Sequence, residues 1–270
     1  MIERFILGFG LSVLIGGYAY KRQSLSLSGL ITAVIVGSLV MGLGHWIFYV
    51  FLMGFFISSI LIRKVMVIVF PGAHRNLIHH KKHEARTWVQ VIANAGILTV
   101  ISVFYALSPS VELIVLAGLS MAASTADTWA SEIGVLSTTK PKLILSKQPI
   151  RSGLSGGVTP LGLWASLAGS AWITLMVVTY VLLSGQMTLL LALTCGFCLI
   201  GGYLGSIVDS VLGELVQAKY ITLKQEVVEV VSTSSDKLIQ GVRWMDNNLV
   251  NFLSNVIVVS AYTLITRWVF

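Results

Sequence analysis

Residues 124–132 read Ser-Thr-Ala-Asp-Thr-Trp-Ala-Ser-Glu, and they close an apolar run that begins near residue 111. The run has the length and character of a membrane helix, so Asp127 and Glu132 stand where a bilayer-spanning segment ends. A carboxylate at membrane depth is costly and marks a candidate functional site. The pattern returns at 206–214, Ser-Ile-Val-Asp-Ser-Val-Leu-Gly-Glu, again closing an apolar run. Both copies fit Ser-x-x-Asp-[Ser/Thr]-x-x-[Ser/Gly]-Glu. Two acidic helix ends point to a divalent-metal site that handles phosphates, since Mg2+ takes oxygen ligands and is commonly held by carboxylates together with substrate phosphates.

Outward from these runs the chain stays apolar. Of its 270 residues, 56% are hydrophobic and 11% charged, against about 25% charged in a soluble domain. The expected fold class is all-α: a polytopic membrane protein forming a single integral membrane domain over residues 1–270. No alternating barrel-type segments are present. Spans are expected near 3–20, 88–107, 111–130, 158–183, 187–213 and 247–268. Residues 26–62 contain no Lys, Arg, Asp or Glu. As one helix they would be roughly 55 Å long, too long for one crossing. Gly42-Leu-Gly44-His45 is the natural break, giving spans near 27–43 and 45–62 and about eight transmembrane helices in all. The first span is read as retained, for no small-x-small cleavage site follows it.

The basic residues test this count. The loops after spans one, three, five and seven hold two, six, four and four of the 18 Lys and Arg. The loops after spans two, four and six hold none. Positive loops stay cytoplasmic, so both termini are expected on the non-cytoplasmic side, with cytoplasmic loops near 63–86, 134–157 and 214–246. The net charge of +7 then lies on one face. It suits anionic headgroups or phosphorylated substrates, although topology alone also accounts for it.

Spans five and seven run the same way, which puts Asp127 and Asp209 near one surface, flanked by Ser124, Ser131 and Ser206. A spacing of five sets Asp127 and Glu132 about 140° apart on an ideal helix. Glu132 therefore either joins the metal across a helix end or does something else. The loop 149–162, Pro-Ile-Arg-Ser-Gly-Leu-Ser-Gly-Gly-Val-Thr-Pro-Leu-Gly, opens span six. Its Gly153, Gly156 and Gly157 allow close approach of backbone N–H groups to a phosphate, with Arg151, Ser152 and Ser155 as further donors. It is equally readable as a flexible loop before a Thr159-Pro160 helix start. Lys82, Arg86, Gln90 and Asn94 recur every four residues, one polar stripe entering span four. Arg86 can grip phosphate bidentately and Lys82 adds a point charge; Asn94 reads better as interhelical hydrogen-bond glue. Asn251 adds an amide at the start of the last span. His74, His79, His80 and His83 read as part of the basic loop, and Cys195 and Cys198 as small apolar helix residues.

Together, Arg86-x-x-x-Gln90-x-x-x-Asn94, Ala126-Asp127-Thr128-Trp129-Ala130-Ser131-Glu132-Ile133-Gly134, Ser155-Gly156-Gly157-Val158, Gly205-Ser206-x-x-Asp209-Ser210-x-x-Gly213-x-x-x-Gln217 and Asp246-Asn247-x-x-Val250-Asn251 resemble the transmembrane-protein-19-like family, over roughly residues 60–255. That family includes the phytyl-phosphate kinase of plants and cyanobacteria. The resemblance implies a CTP-dependent kinase that converts a prenyl monophosphate (phytyl, geranylgeranyl or farnesyl phosphate) to the diphosphate. It would act at the cytoplasmic face of a cell or organelle membrane, with Mg2+ as cofactor and CTP as phosphoryl donor. Partners would be the prenyl-phosphate lipid and membrane lipids, with no nucleic acid; a homodimer stays open. Asp127, Asp209, Lys82 and Arg86 would be catalytic and Asp127, Glu132 and Asp209 would hold the metal. Arg151, Ser152, Gly153, Ser155, Gly156, Gly157, Ser124, Ser131, Ser206, Gln90, Asn94 and Asn251 would contact nucleotide or phosphate. More distantly the chain looks like polyprenol kinases and phosphatidate cytidylyltransferases. Read from the acids alone, an ion or solute transporter using Asp127 and Asp209 is the competing class, and transporters bind nearer the bilayer centre.

Overall fold

A computed structural model describes residues 1–69, 85–185, 188–231 and 233–269. Among them are eight α-helices: α1 (Ile2–Lys21), α2 (Leu27–Leu43), α3 (Trp46–Val69), α4 (Trp88–Leu107), α5 (Val111–Gly134), α6 (Pro160–Leu183), α7 (Leu189–Leu215) and α8 (Asn247–Val269). Seven are long and apolar enough to cross a bilayer. The 17-residue α2 sits at the lower limit of the spanning range of ~17–25 residues. Large apolar side chains such as Leu7, Ile35, Phe104, Trp164 and Leu183 face outward, where a bilayer would solvate them.

The helices begin at capping residues. Ser26, Ser110, Thr159 and Thr188 each accept a backbone N–H from the first turn, and Pro160 follows its cap at a position that needs no N–H donor. Asp246 accepts the Leu249 N–H at the start of α8. Polar residues thus fall at entries, where orphan backbone donors need acceptors.

Helix α5 is the axle of the bundle, packing on α3, α4, α6, α7 and α8. Every residue from Ile114 to Ala126 is buried. Its Ala122-Ala123-Ser124-Thr125-Ala126 run is small-sided, which lets neighbouring backbones approach closely. The approach to α7 is so tight that a Cβ at Gly205 would lie 2.7 Å from the Cβ of Ala123.

Two expectations change here. First, α5 and α7 continue to Gly134 and Leu215, beyond the expected ends near 130 and 213. Their polar last turns stay helical because Ser131 donates to Thr128 O and Glu132 finds a cationic partner. Asp127 therefore lies seven residues, ~10 Å, inside the end of α5, and Asp209 six residues, ~9 Å, inside the end of α7. Both sit in the outer third of their helices. Second, the two long loops carry small antiparallel sheets. β1 (Lys142–Leu143) pairs with β2 (Gly157–Val158), and β3 (Lys219–Ile221) lies between β4 (Val227–Val228) and β5 (Lys237–Gln240).

Candidate active site

The close crossing of Gly205 and Ala123 comes four residues, about one turn, before Asp209 and Asp127. One turn further on, the two carboxyl groups therefore come close enough to act on each other. Asp209 is buried. The first two turns of α8 complete its surroundings. Ser254 Oγ lies 3.4 Å from Asp209 Oδ2. The Asn251 amide faces the same oxygen, and with its nitrogen turned inward it donates to Asp209 Oδ2 at 2.9 Å and to Asn247 O at 2.8 Å. Turned the other way, the same amide presents its carbonyl oxygen beside the carboxylate.

This donor set fits Mg2+. It offers two carboxylates, an amide carbonyl and a hydroxyl, all oxygen, in the number a cation needs when waters and phosphate oxygens fill the rest of its shell. Among the described residues no group of three or more His, Cys, Asp or Glu gathers as a metal cage, and Mg2+ does not ask for one.

The glycine loop is mounted on the end of α7. Glu214, the acid of the second motif copy, accepts the backbone N–H groups of Leu145 (2.7 Å) and Ser146 (2.9 Å). Gly156 has φ +83° and its backbone presses on Glu214, while a Cβ on Gly213 would meet Gly156 N at 2.7 Å. Only glycine fits both positions. Ser155 is thereby brought to the polar cluster. Its N–H donates to Glu229 Oε1 at 2.5 Å, its Oγ donates to Asn247 Oδ1, and it accepts from Gln217 Nε2 at 2.9 Å. Gln217 is 1% exposed, and its Oε1 has no partner among the described residues. Gly157 continues into β2, and Gly153, at φ +88°, turns in open space.

The acid of the first motif copy is used differently. Glu132 forms an ion pair with Arg63 of α3, Nη2 to Oε1 at 2.5 Å, on the flank of α5 that helical geometry turns away from Asp127. The two aspartates are brought together and the two glutamates are not. Arg86 lies close enough for both Arg63 and Glu132 to act on it, and burial pushes its guanidinium down to about 10. Gln90 closes a capping box with Thr87, so its side-chain oxygen is spent on the start of α4. Asn94 donates to Gln90 O within its own helix, and its backbone carbonyl, not its side chain, reaches α5 by accepting Ser124 Oγ at 2.9 Å. Ser124 also accepts from Asn255. Ser206 is buried, and Ser131 turns to its own helix. Arg151 and Ser152 line a separate surface hollow with Lys140 and Thr139, where Arg151 is 3.9 Å from Glu226. Lys82 and the four histidines of 74–83 lie outside the described residues. Cys195 and Cys198 are buried free thiols inside α7.

Two residues join the site without a signal in the motifs. Glu229, just after β4, holds the Ser155 N–H and acts electrostatically on Asp209. Lys219, on β3, is 4% exposed. Burial lowers its ammonium below the ordinary value, opposed by Glu229 and Glu214. It is a cation held near Glu229 and Glu214.

The fold defines a polytopic helical membrane protein with a polar cluster in the outer third of two of its helices. The chain belongs to the integral membrane protein family DUF92, whose profile it matches over residues 10–259, as the motifs led us to expect. It is 32% identical to Protein PGR of Arabidopsis thaliana over 270 residues, covering 93% of this chain and 92% of that one. It is 29% identical to an uncharacterized membrane protein of Methanocaldococcus jannaschii over 213 residues, 79% of this chain and 83% of that one. No solved structure matches it.

Proposed function

We propose that the protein is a CTP-dependent kinase that converts a prenyl monophosphate to the diphosphate at the cytoplasmic membrane face, where the basic loops would lie. The observation that carries this is the Asp127–Asp209 pair, with Asp209 buried, in the outer third of its helices and linked through Asn247 and Glu229 to the Ser155–Gly157 loop. An acceptor that is already a phosphate needs no strong base. What the reaction needs is positioning and neutralisation of charge.

Asp127, Asp209 and the oxygens of Asn251 and Ser254 would hold Mg2+, which when bound neutralises and orients the triphosphate. Ser155 and its flanking glycines would present N–H and O–H donors to phosphate oxygens. Lys219 would add positive charge from the sheet side and Arg86 from the α4 side. Asp209 has no cationic partner among the described residues that act on it, and a buried carboxylate beside a second one is held at a cost that a bound cation removes.

The test is purified protein with labelled CTP, Mg2+ and a prenyl phosphate. CDP and prenyl diphosphate support the kinase. A CDP-lipid with released pyrophosphate replaces it with a cytidylyltransferase, and absence of any turnover sinks both. The off-centre depth of the aspartates speaks against a transporter.

A further inference from the structure

We propose that the crevice between α1, α2, α3 and α4 is the slot for the isoprenoid chain of the prenyl monophosphate, with Arg86 at its mouth binding the phosphate. This rests on the kinase reading and adds the place of the acceptor. The crevice is narrow, with an enclosed volume of about 60 Å³, and a bound chain would have to part the side chains that line it. Its wall is apolar, with Ile15 from α1, Val36 from α2, Met53 and Phe56 from α3, and Val91 and Ala95 from α4. From Arg86 to Ala95 it descends ~13 Å along α4, more than a third of a bilayer core ~30 Å thick.

Among the described residues, the polar groups in that wall other than Arg86 are already engaged. Ser12 shares a hydrogen bond with Tyr49, Gln90 accepts from Thr87, and Asn94 donates to Gln90. Arg86 is different. It and Arg63 face a single carboxylate, Glu132, and Arg63 takes the close contact at 2.5 Å. Among the described residues, two guanidiniums against one carboxylate leave a net positive charge at the head of an apolar slot. The backbone of Arg86 is fixed, its N–H donating to Ser24 O and its carbonyl accepting from Ser26 N, and its guanidinium lies over the Phe55 ring at 5.6 Å. A fixed guanidinium suits bidentate recognition of phosphate. One slot and one cation match one chain and one phosphate, whereas a two-chain phospholipid would leave a chain outside. The slot also adjoins the acids, because Asn94 in its wall bonds Ser124, one turn before Asp127.

The experiment uses the whole protein in lipid nanodiscs without nucleotide. The probe is geranylgeranyl monophosphate with a photoreactive diazirine in its last isoprene unit. Expected is saturable labelling mapped to α1–α4, displaced by unlabelled geranylgeranyl phosphate and not by phosphatidic acid. Ala33→Phe, which fills the slot, should weaken labelling at least tenfold, while Ile35→Phe, on the outward face of the same helix, should leave it unchanged. Arg86→Ala should lose labelling tenfold, with partial recovery in Arg86→Lys, and unchanged melting temperatures exclude misfolding. Labelling elsewhere, equal competition by phosphatidic acid, or an Ala33→Phe variant that binds normally overturns the slot. CTP turnover accompanied by labelling on other helices overturns it while leaving the kinase standing; slot labelling without turnover does the reverse.

Discussion

Arg63 on α3 reaches across to Glu132 on α5, Nη2 to Oε1 at 2.5 Å. The contact separates two acids that the repeated motif presents as equivalent to their aspartate neighbours. Each glutamate fixes architecture, one by binding a neighbouring helix and the other by binding the hairpin loop, and the aspartates alone converge. Glu132→Gln should therefore lower the stability modestly, by about 0.5–1 kcal/mol for a pair only partly shielded from water. It should leave the Mg2+ concentration dependence of turnover where it was. A shifted Mg2+ midpoint would return Glu132 to the metal site.

Asp127→Asn and Asp209→Asn should each reduce CTP turnover at least a thousandfold while the protein stays folded. Each substitution also removes a repulsive charge from the neighbourhood of a second carboxylate. Without Mg2+, the melting temperature of either variant should equal or exceed that of the wild type; a large drop would mean the pair is structural.

Glu229 is a carboxylate resting on the Ser155 N–H, where a phosphate oxygen would have to bind. Glu229→Gln removes that charge and weakens the competing hydrogen bond. CTP should bind several-fold more tightly to the variant in a direct binding measurement, and weaker binding would instead make Glu229 part of the nucleotide site.

Glu214→Gln retains one acceptor oxygen for the Leu145 and Ser146 amides but loses its charge. Hydrogen bonds to charged groups contribute roughly 1.5–3 kcal/mol each, so those two amides should exchange with solvent at least tenfold faster. Amides in α5 should be unaffected. Equal protection in the variant would show that the hairpin is held by something else.

Lys219 gives a pH signature. Its ammonium is pushed below the ordinary 10.5 by burial, against the pull of Glu229 and Glu214. Between the lowered value and 10.5 the unfolded chain binds more protons than the folded one, so this group adds stability as pH rises. The stability of wild type minus that of Lys219→Met should move in favour of the wild type as pH climbs from neutral towards 10.5. A flat difference would mean that the lysine is freely hydrated.

Much of this was legible in the residues. The alternation of basic and uncharged loops pointed to eight helical segments, and eight helices are found among the described residues, seven of them long and apolar enough to cross a bilayer. The repeated Ser-x-x-Asp pattern on two helices of one direction brought Asp127 and Asp209 together on paper. The close crossing of Ala123 and Gly205 brings them together in the fold. Glu132 was readable only halfway: a spacing of five turned it away from Asp127, but its partner lies 69 positions earlier, beyond the reach of any periodicity. Strands of two to four residues leave no alternation to detect, so Lys219 and Glu229 looked like any other charges in a mixed loop. The stripe Arg86–Gln90–Asn94 looked uniform, yet the start of α4 takes Gln90 for its cap and leaves Arg86 to the crevice.

The seating of Gly156 on Gly213, with the hairpin amides on Glu214, has a mechanical consequence. The glycine loop and Asp209 ride on one rigid piece, the last two turns of α7. A rotation of α7 would swing both together and preserve their register. Opening of the site must then come from the other side, where β4 and Glu229 meet Ser155 through a single hydrogen bond that can break without moving the acids.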